Sequence, residues 1–463
     1  MTAQDVSDRV VDGAADLLRE ALGDRVALPG DADFDRLRMP WNVAIDQRPF
    51  AVAYPQSAED VVDIVRAAVK CGLRVAPQST GHGAAALADT DIANAVLVNL
   101  SAMRGVSVDP DVRTARVLGG TQWNDVIDAI APYGLAAMHG SSGDVSVAGY
   151  ILAGGLSFYG RTHGLAITTV RAVQLVTADG SLVRASAEEH PDMFWAVRGG
   201  GGAFGVVVSL EIDLLPYGDV FAGMLLWDAV HAPAVSRAWA AWTQDAPESA
   251  TTSLRVMNFP PMPDLPPFLS GRSVVVIDGA ILESDDVAAE LLVPLRALEP
   301  EMDTFARMPS AALVAVHMDP PDPTPVATIG GMVAELPAEA VDAFVAAGSA
   351  PGVFIAELRH CGGAIARGAA GGGAISALGG EYCVVGIGVV PALEMAAPVA
   401  RAVRGVVDAL RPWHADSLAL TFVDGGVDRA PAWGRSRGRL IDLKYRFDSD
   451  DVFASGHPVE TLG

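Results

Sequence analysis

One histidine, His82, stands in "VAPQSTGHGAAALADT", between two glycines and ahead of three alanines. The chain spends only 9 histidines on 463 residues, and this one falls on a Gly/Ala turn that gives an imidazole little to pack against. An imidazole so placed can serve as a base, a metal ligand or a point of attachment. No second histidine or carboxylate stands at ligand spacing, which argues against a metal. Two other stretches are built for close approach. "RGGGGAFG" places Gly200, Gly202 and Gly205 in the pattern G-x-G-x-x-G. A dinucleotide fingerprint needs a strand before those glycines and a helix after them. Here "PDMFWAVR" reads as a helix before and "VVVSLEIDLL" as a strand after, so the order is wrong. Four consecutive glycines instead let the backbone pass close to a large flat ligand or to another segment. "SSGDVSVAGYILAGGLSFYGRTHGL" is the second stretch: small residues from Ser141 onward, with Gly154-Gly155 inside an apolar run. It suits either a wrap around a cofactor or a tightly packed helix, and composition alone leaves both open.

These residues need elements to hold them. "RPFAVAYP", "SAEDVVDIVRAAVKCG" and "LRVAPQ" predict strand, helix and strand, the size of a βαβ unit, with Ser57 as N-cap and Gly72 as stop. "AVLVNL", "GVSVD" and "TARVLGG" predict short strands, and "TQWNDVIDAIAPYG" a helix. "VRAVQLVTADGSLVRAS" predicts a hairpin turned at Asp179-Gly180. "VSDRVVDGAADLLREALG" predicts an N-terminal helix. Beyond Pro216 proline clusters punctuate the chain. "RSVVVIDGAI", "TPVATIGGMVAEL", "GVFIAELRH" and "EYCVVGIGVV" predict strands; "SDDVAAELLVPLRAL" and "PAEAVDAFVAAG" predict helices between them. "ARGAAGGGAISALGG" reads as a mobile loop, and the chain closes with a helix and the tail "YRFDSDDVF". No internal repeat is visible.

Taken in order, the three stretches resemble the FAD-linked oxidases of the vanillyl-alcohol-oxidase (PCMH-type FAD-binding) superfamily, in particular its berberine-bridge-enzyme-like group. The resemblance covers most of 38–216. "MPWNVAIDQRPFAVAYPQSAEDVVDIVRAA" is similar to the family's entry segment, and "VAPQSTGHG" to its "R-G-G-G-H-S" loop. "AGGLSFYGRTHGL" resembles "G-G-G-x-G-x-x-x-R-x-x-G-L", "MFWAVRGGGGAFGVVVSLEIDLLP" matches the family segment closely, and "YRFDSDDVF" resembles "Y-D-P-x-N-x-F". The resemblance implies that His82 bonds covalently to the 8α-methyl of the flavin, its neutral imidazole attacking the quinone-methide form. It also implies an FAD-binding set of Gln78, Ser79, Thr80, Gly81, Gly83, Ser141, Ser142, Val145, Gly149, Gly154 and Val207. A second link through the cysteine of "C-P-T-V-G-V-G-G" is not expected, because that position falls on Ser142. Val145 falls where a small side chain is associated with oxygen reaching the flavin, which favours an oxidase. Departures from the pattern are Gln78 for arginine, Gly83 for serine, Ala153 and Ser157 for glycines, Thr168 for aspartate and Gly456 for asparagine. The Y-x-N element has no clear match, with "TFVD" near its place. That weighs against a carbohydrate substrate and leaves the base unassigned.

The implied fold is α+β in two domains. A FAD-binding domain spans 1–216 (core about 45–216). An antiparallel-sheet substrate domain spans 217–409, and 410–463 returns to the first. The implied reaction is hydride transfer from an alcohol or amine-type carbon of a bulky secondary metabolite to flavin N5, with a base taking the proton and O2 reoxidising the flavin to give hydrogen peroxide. Tyr382 is the first candidate for that base. Glu381, His360, Glu357, Tyr159 and His139 follow. A flavin dehydrogenase with another acceptor, a carbohydrate oxidase and a non-catalytic flavin-binding protein are the alternatives.

Composition bounds the rest. The formal net charge is -24, which repels phosphate backbones and anionic lipids, so neither nucleic acid nor membrane is an expected partner. The apolar runs are too short to span a bilayer, and the acidic, amphipathic start lacks a signal-peptide pattern; the expectation is a cytoplasmic protein, monomer or homodimer. Only Lys70 and Lys444 are lysines, and the arginine and alanine richness suggests a GC-rich bacterial genome. Three widely spaced cysteines without CxxC fit neither a disulfide scaffold nor a zinc site.

Overall fold

The computed structural model describes residues 10–261, 266 and 268–460. Three sheets organise the chain. The first is built from β1 (Val26–Ala27), β2 (Ala51–Ala53), β3 (Arg74–Gln78) and β4 (Ala95–Asn99) in the order β1-β2-β4-β3. Its β2, β4 and β3 run parallel. The predicted strand–helix–strand unit is present, but β4 inserts between its two strands. The connecting helix Ala58–Lys70 starts on a capping box: Ser57 Oγ accepts the Asp60 N–H, and the Asp60 carboxylate accepts the Ser57 N–H. Every residue of β4 is buried, as a strand covered on both faces requires.

The second sheet is antiparallel, in the order β5-β6-β9-β7-β8. It contains β5 (Val106–Asp109), β6 (Thr114–Leu118), β7 (Val170–Val176), β8 (Leu182–Ser186) and β9 (Val206–Asp213). β7 and β8 form the expected hairpin, with Gly180 at φ 74. The segment between β6 and β7 carries the helix Val147–Leu152, capped by Ser146.

The third sheet has eight antiparallel strands. They are β10 (Asp219–Asp228), β11 (Ala250–Asn258), β12 (Ser273–Ile281), β13 (Met302–Asp303), β14 (Ala306–Pro309), β15 (Val326–Val333), β16 (Ile355–His360) and β17 (Tyr382–Val389). The order is β13-β10-β12-β11-β16-β17-β15, with β14 also paired to β10. Side chains alternate between its faces. Leu254, Ala356, Leu358, Tyr382 and Val384 pack on Trp239, Phe344 and Val403 from the helices Ala232–Asp245, Ala338–Gly348 and Ala396–Ala409. The opposite set includes Ile355, Glu357, Arg359 and Ile387, and faces a cleft against the first two sheets.

Three expectations need amendment. "SDDVAAELLVPLRAL" is two short helices, Asp285–Leu291 and Val293–Arg296, because Pro294 has no N–H to continue a single one. The helix at the N-terminus begins at Ala14, after Gly13 at φ 76; its predicted start falls partly outside the described residues. "ARGAAGGGAISALGG" is packed: Ala374, Ile375 and Leu378 are buried, and the Ala374 and Ile375 N–H groups donate to the carbonyls of Trp195 and Arg198. The tail returns to the first sheet, where Phe453 bridges Val75 in parallel and the Ala454 N–H donates to the Val75 carbonyl at 2.9 Å. Among the described residues no helix is long and apolar enough to cross a membrane.

Candidate functional site

β3 ends at Gln78, and the chain turns through "STGHG" into the short helix Ala84–Leu87. Gly81 makes the turn possible. Its φ is +81, and a Cβ there would lie 2.6 Å from Pro40 Cβ. Only glycine lets this loop press against the Pro40–Trp41 segment, where the Trp41 N–H donates to the Thr80 carbonyl at 2.9 Å. His82 is therefore not a bare loop tip. Its ring stacks on the Trp41 indole, centroids 4.2 Å apart at 17°. Thr80 Oγ1 lies 2.8 Å from Nδ1, and Nε2 has no hydrogen-bond partner.

His82 forms part of the wall of a cleft of about 460 Å³, within the ~300–1,000 Å³ typical of small-molecule sites. Gln78, Ser79, Thr80, Gly81, Gly83, Ser141, Ser142, Val145, Gly149 and Val207 line the same cleft. Gly154 does not. It lies at φ +113 with Ile375 as its nearest outside neighbour, so it turns the chain behind the wall. The glycine run divides its work. A Cβ on Gly199, at φ +117, would meet the Ile375 backbone nitrogen at 2.7 Å, whereas Gly202 and Gly205 line the cleft. Close approach to another segment accounts for Gly199, and Gly202 and Gly205 also press on Pro77 and Val176 while they line the cleft.

The opposite wall is the third sheet. Glu357 and Arg359 project from β16, with Arg359 Nε 2.8 Å from Glu357 Oε1. His317, from the loop after β14, sits between two carboxylates: Nδ1 is 2.9 Å from Asp278 Oδ2 and Nε2 is 3.3 Å from Glu357 Oε1. Arg255 pairs with Asp278 behind it. The Ser141 hydroxyl donates to Asp319 at 2.7 Å, tying the glycine-rich wall to the sheet side. Burial and the Arg255 charge push His317 toward neutrality, but Asp278, Glu357 and Asp319 outweigh them and hold it protonated. Burial opposes charge on Glu357 too, yet Arg359 and His317 hold it well below the usual carboxylate range. Asp424, in "TFVD", lines the cleft as well. Burial pushes its carboxyl up to about 6, despite the Thr328 N–H donated to Oδ2 at 2.7 Å.

The other candidate bases lie elsewhere. Tyr382 points to the helix face of the sheet, where its hydroxyl meets Thr243 Oγ1 at 2.7 Å and Gln244 Nε2 at 2.9 Å. His360 shares that face; its ring stacks on Tyr382 and its Nε2 lies 2.7 Å from Arg161 Nη1. Glu381 sits beside Gly362 and the Arg161 charge. Tyr159 is fully buried, stacked on Tyr217 and edge-on to His139. His139 Nδ1 lies 2.7 Å from the Gly140 carbonyl oxygen. None of these five reaches the cleft. For His360 and Tyr382 the period-two alternation of β16 and β17 is the reason: Glu357 and Arg359 take one face, His360 and its partner Tyr382 the other. Trp41, His317 and Arg359 line the cleft and Asp144 lies beside His82; sequence reasoning missed all four. A histidine beside an aspartate in a proline-rich loop, "VHMDPPDP", was the available signal for one of them.

The wall fits a flavin. It joins an apolar, glycine-rich side, an imidazole on the cleft wall and an opposed charged face. Residues 49–186 match the family model of the FAD binding domain, and the α+β architecture is that of the PCMH-type FAD-binding oxidases. Among curated proteins, (R)-6-hydroxynicotine oxidase of Paenarthrobacter nicotinovorans is 36% identical over 213 residues, 46% of this chain and 45% of that protein. The carbohydrate oxidase of Microdochium nivale is 32% identical over 209 residues, 45% of this chain and 42% of that protein. The chain spans under half the length of these curated relatives. Among solved structures, Physcomitrella patens BBE-like 1 superposes with a TM-score of 0.84 at 19% identity, over 97% of this chain and 99% of that one.

Proposed function

We propose that this protein is an FAD-dependent oxidase of the berberine-bridge-enzyme-like group, divided near residues 216 and 410. In this reading it takes a hydride from an alcohol or amine-type carbon of a bulky small molecule and passes the electrons to O2, giving hydrogen peroxide. The observation that carries the reading is the His82 imidazole on one wall of the cleft with a fixed ionic cluster on the other. The flavin, when bound, supplies the hydride acceptor and the route of electrons to O2. The chain supplies the rest. Gln78–Gly83, Ser141, Ser142, Gly149 and Val207 hold the cofactor, with a single covalent bond at His82. Val145 keeps that wall low, so that oxygen can enter.

Glu357 takes the place of Tyr382 in this reading as the group that anchors the substrate: it is ionised, faces the cleft and is fixed by Arg359 at 2.8 Å, so it accepts a hydrogen bond from a substrate O–H or N–H against the sheet. Arg359 and His317 hold its proton affinity low, and Asp424 in the same cleft, raised to about 6, is the carboxyl poised to take the proton. The test is direct: purified protein absorbing in the flavin bands is mixed with panels of amines, alcohols and sugars, with and without O2. Bleaching without O2 and peroxide with it support the oxidase. Bleaching that only an artificial acceptor reverses makes it a dehydrogenase. A protein with no flavin absorption overturns the reading.

A further inference from the structure

The His82 imidazole is constrained on three sides. Trp41 covers its face, the Thr80 hydroxyl sits 2.8 Å from Nδ1, and Nε2 is buried 3.5 Å from Asp144 Oδ1. Asp144 is itself fixed. Its Oδ2 accepts the Trp41 indole N–H at 2.5 Å and its Oδ1 accepts the Ser142 hydroxyl at 2.7 Å. Burial opposes a charge there, but the His82 imidazole, the Ser142 hydroxyl and Trp41 hold the carboxyl below its usual range. An anion therefore faces Nε2. A carboxylate only accepts hydrogen bonds, so it favours the tautomer with the proton on Nε2 and leaves the lone pair on Nδ1, where the Thr80 hydroxyl donates. In the pattern "C-P-T-V-G-V-G-G" the position of Asp144 is threonine, so the carboxylate is a departure of this chain.

We propose that Asp144 is a positioning residue for flavin attachment, setting the Nε2–H tautomer of His82 and receiving that proton as Nδ1 bonds to the flavin methyl carbon. The inference rests on the covalent reading above. The new N–C bond replaces one C–H of the methyl group and the N–H of the ring. Both protons and two electrons end on O2 as hydrogen peroxide, so the joined flavin finishes oxidised. Without Asp144 the ring has neither a fixed tautomer nor an acceptor for its N–H proton, and attachment slows while binding of the cofactor persists.

The experiment follows flavin that stays with the protein after denaturation, against time, once FAD is added in air to flavin-free preparations. Asp144→Asn keeps an acceptor for the Trp41 N–H and removes the charge; it should slow attachment at least tenfold, and Asp144→Glu should restore part of the rate. In a His82→Ala background, Asp144→Asn should leave the dissociation constant for FAD unchanged. Attachment by Asp144→Asn at the wild-type rate overturns this inference alone, as does weakened FAD binding in the His82→Ala background, which marks a structural role. Wild-type protein that retains no flavin overturns the covalent reading and this inference with it.

Discussion

At the scale of single residues, the cleft is decided by charge and by which way a side chain points. Asp424→Asn removes the carboxyl poised to take the proton but keeps the size of the side chain. We expect anaerobic flavin reduction by substrate to slow about 10²–10⁴-fold with the flavin still bound, measured by stopped-flow absorbance. Tyr382→Phe should leave that rate unchanged and cost only its hydrogen bonds to Thr243 and Gln244, about 1 kcal/mol. Equal effects of the two substitutions would remove Asp424 from its role. His82 was legible in the sequence because an imidazole among small residues is chemically conspicuous. Its stacking on Trp41 was not, since 41 residues separate the partners and only Gly81 reveals that two segments touch. Tyr382 lies off the cleft for a physical reason that the sequence does not carry. Alternation along a strand is readable, but which face meets helices is set by elements far away in sequence.

At the scale of elements, close approach fixes the wall. The helix Pro191–Gly200 breaks its geometry at Arg198 and Gly199, and the segment around Ile375 docks into that break. Gly199→Ala imposes strain at φ +117 and a clash with backbone. It should cost at least about 1–3 kcal/mol, read as a lowered midpoint in urea unfolding, and should weaken FAD retention because Gly202 lies three residues on. The tail clamp is a second case. Buried Lys444 pairs with Asp448 at 2.5 Å and donates to the Ala203 carbonyl at 3.0 Å, joining the helix Arg437–Phe447 to the glycine run. Asp448→Ala removes the nearer of that ammonium's two carboxylates, Asp451 remaining at 3.3 Å, and the acceptor of the Val452 and Phe453 N–H groups; it should cost about 3–5 kcal/mol, whereas an exposed pair such as Arg36–Asp33 should cost under about 1 kcal/mol. Similar losses at both sites would contradict the account. Short strands, the capped helix Ala58–Lys70 and the hairpin were readable from local signals. The docking of "GGGAISALGG" was not, because its glycines carry no periodicity and its partner lies over 170 residues earlier.

At the scale of the molecule, the ionic cluster joins β11, β12, β16 and the His317 loop, so its protonation is linked to folding. His317 is raised from 6.5 to about 9: its stabilisation is complete below pH 6.5 and is lost as pH rises through about 9. Glu357 is lowered from 4.5 to about 2: its stabilisation is complete above pH 4.5 and is lost as pH falls through about 2. Unfolding free energy should therefore fall on the alkaline side between pH 6.5 and 9 more steeply in the wild type than in His317→Gln; parallel profiles would contradict this. Sheet connectivity was only partly visible in the sequence. The parallel neighbourhood of β2, β4 and β3 and the return of Phe453 to Val75 depend on pairings that local patterns do not encode.

The central claim is a flavin bonded to His82, and intact mass of the acid-denatured protein tests it most directly. The account predicts a mass increased by one FAD less two hydrogens, carried on the peptide containing His82 and lost in His82→Ala. An unmodified chain with all of its flavin in the acid supernatant would contradict it.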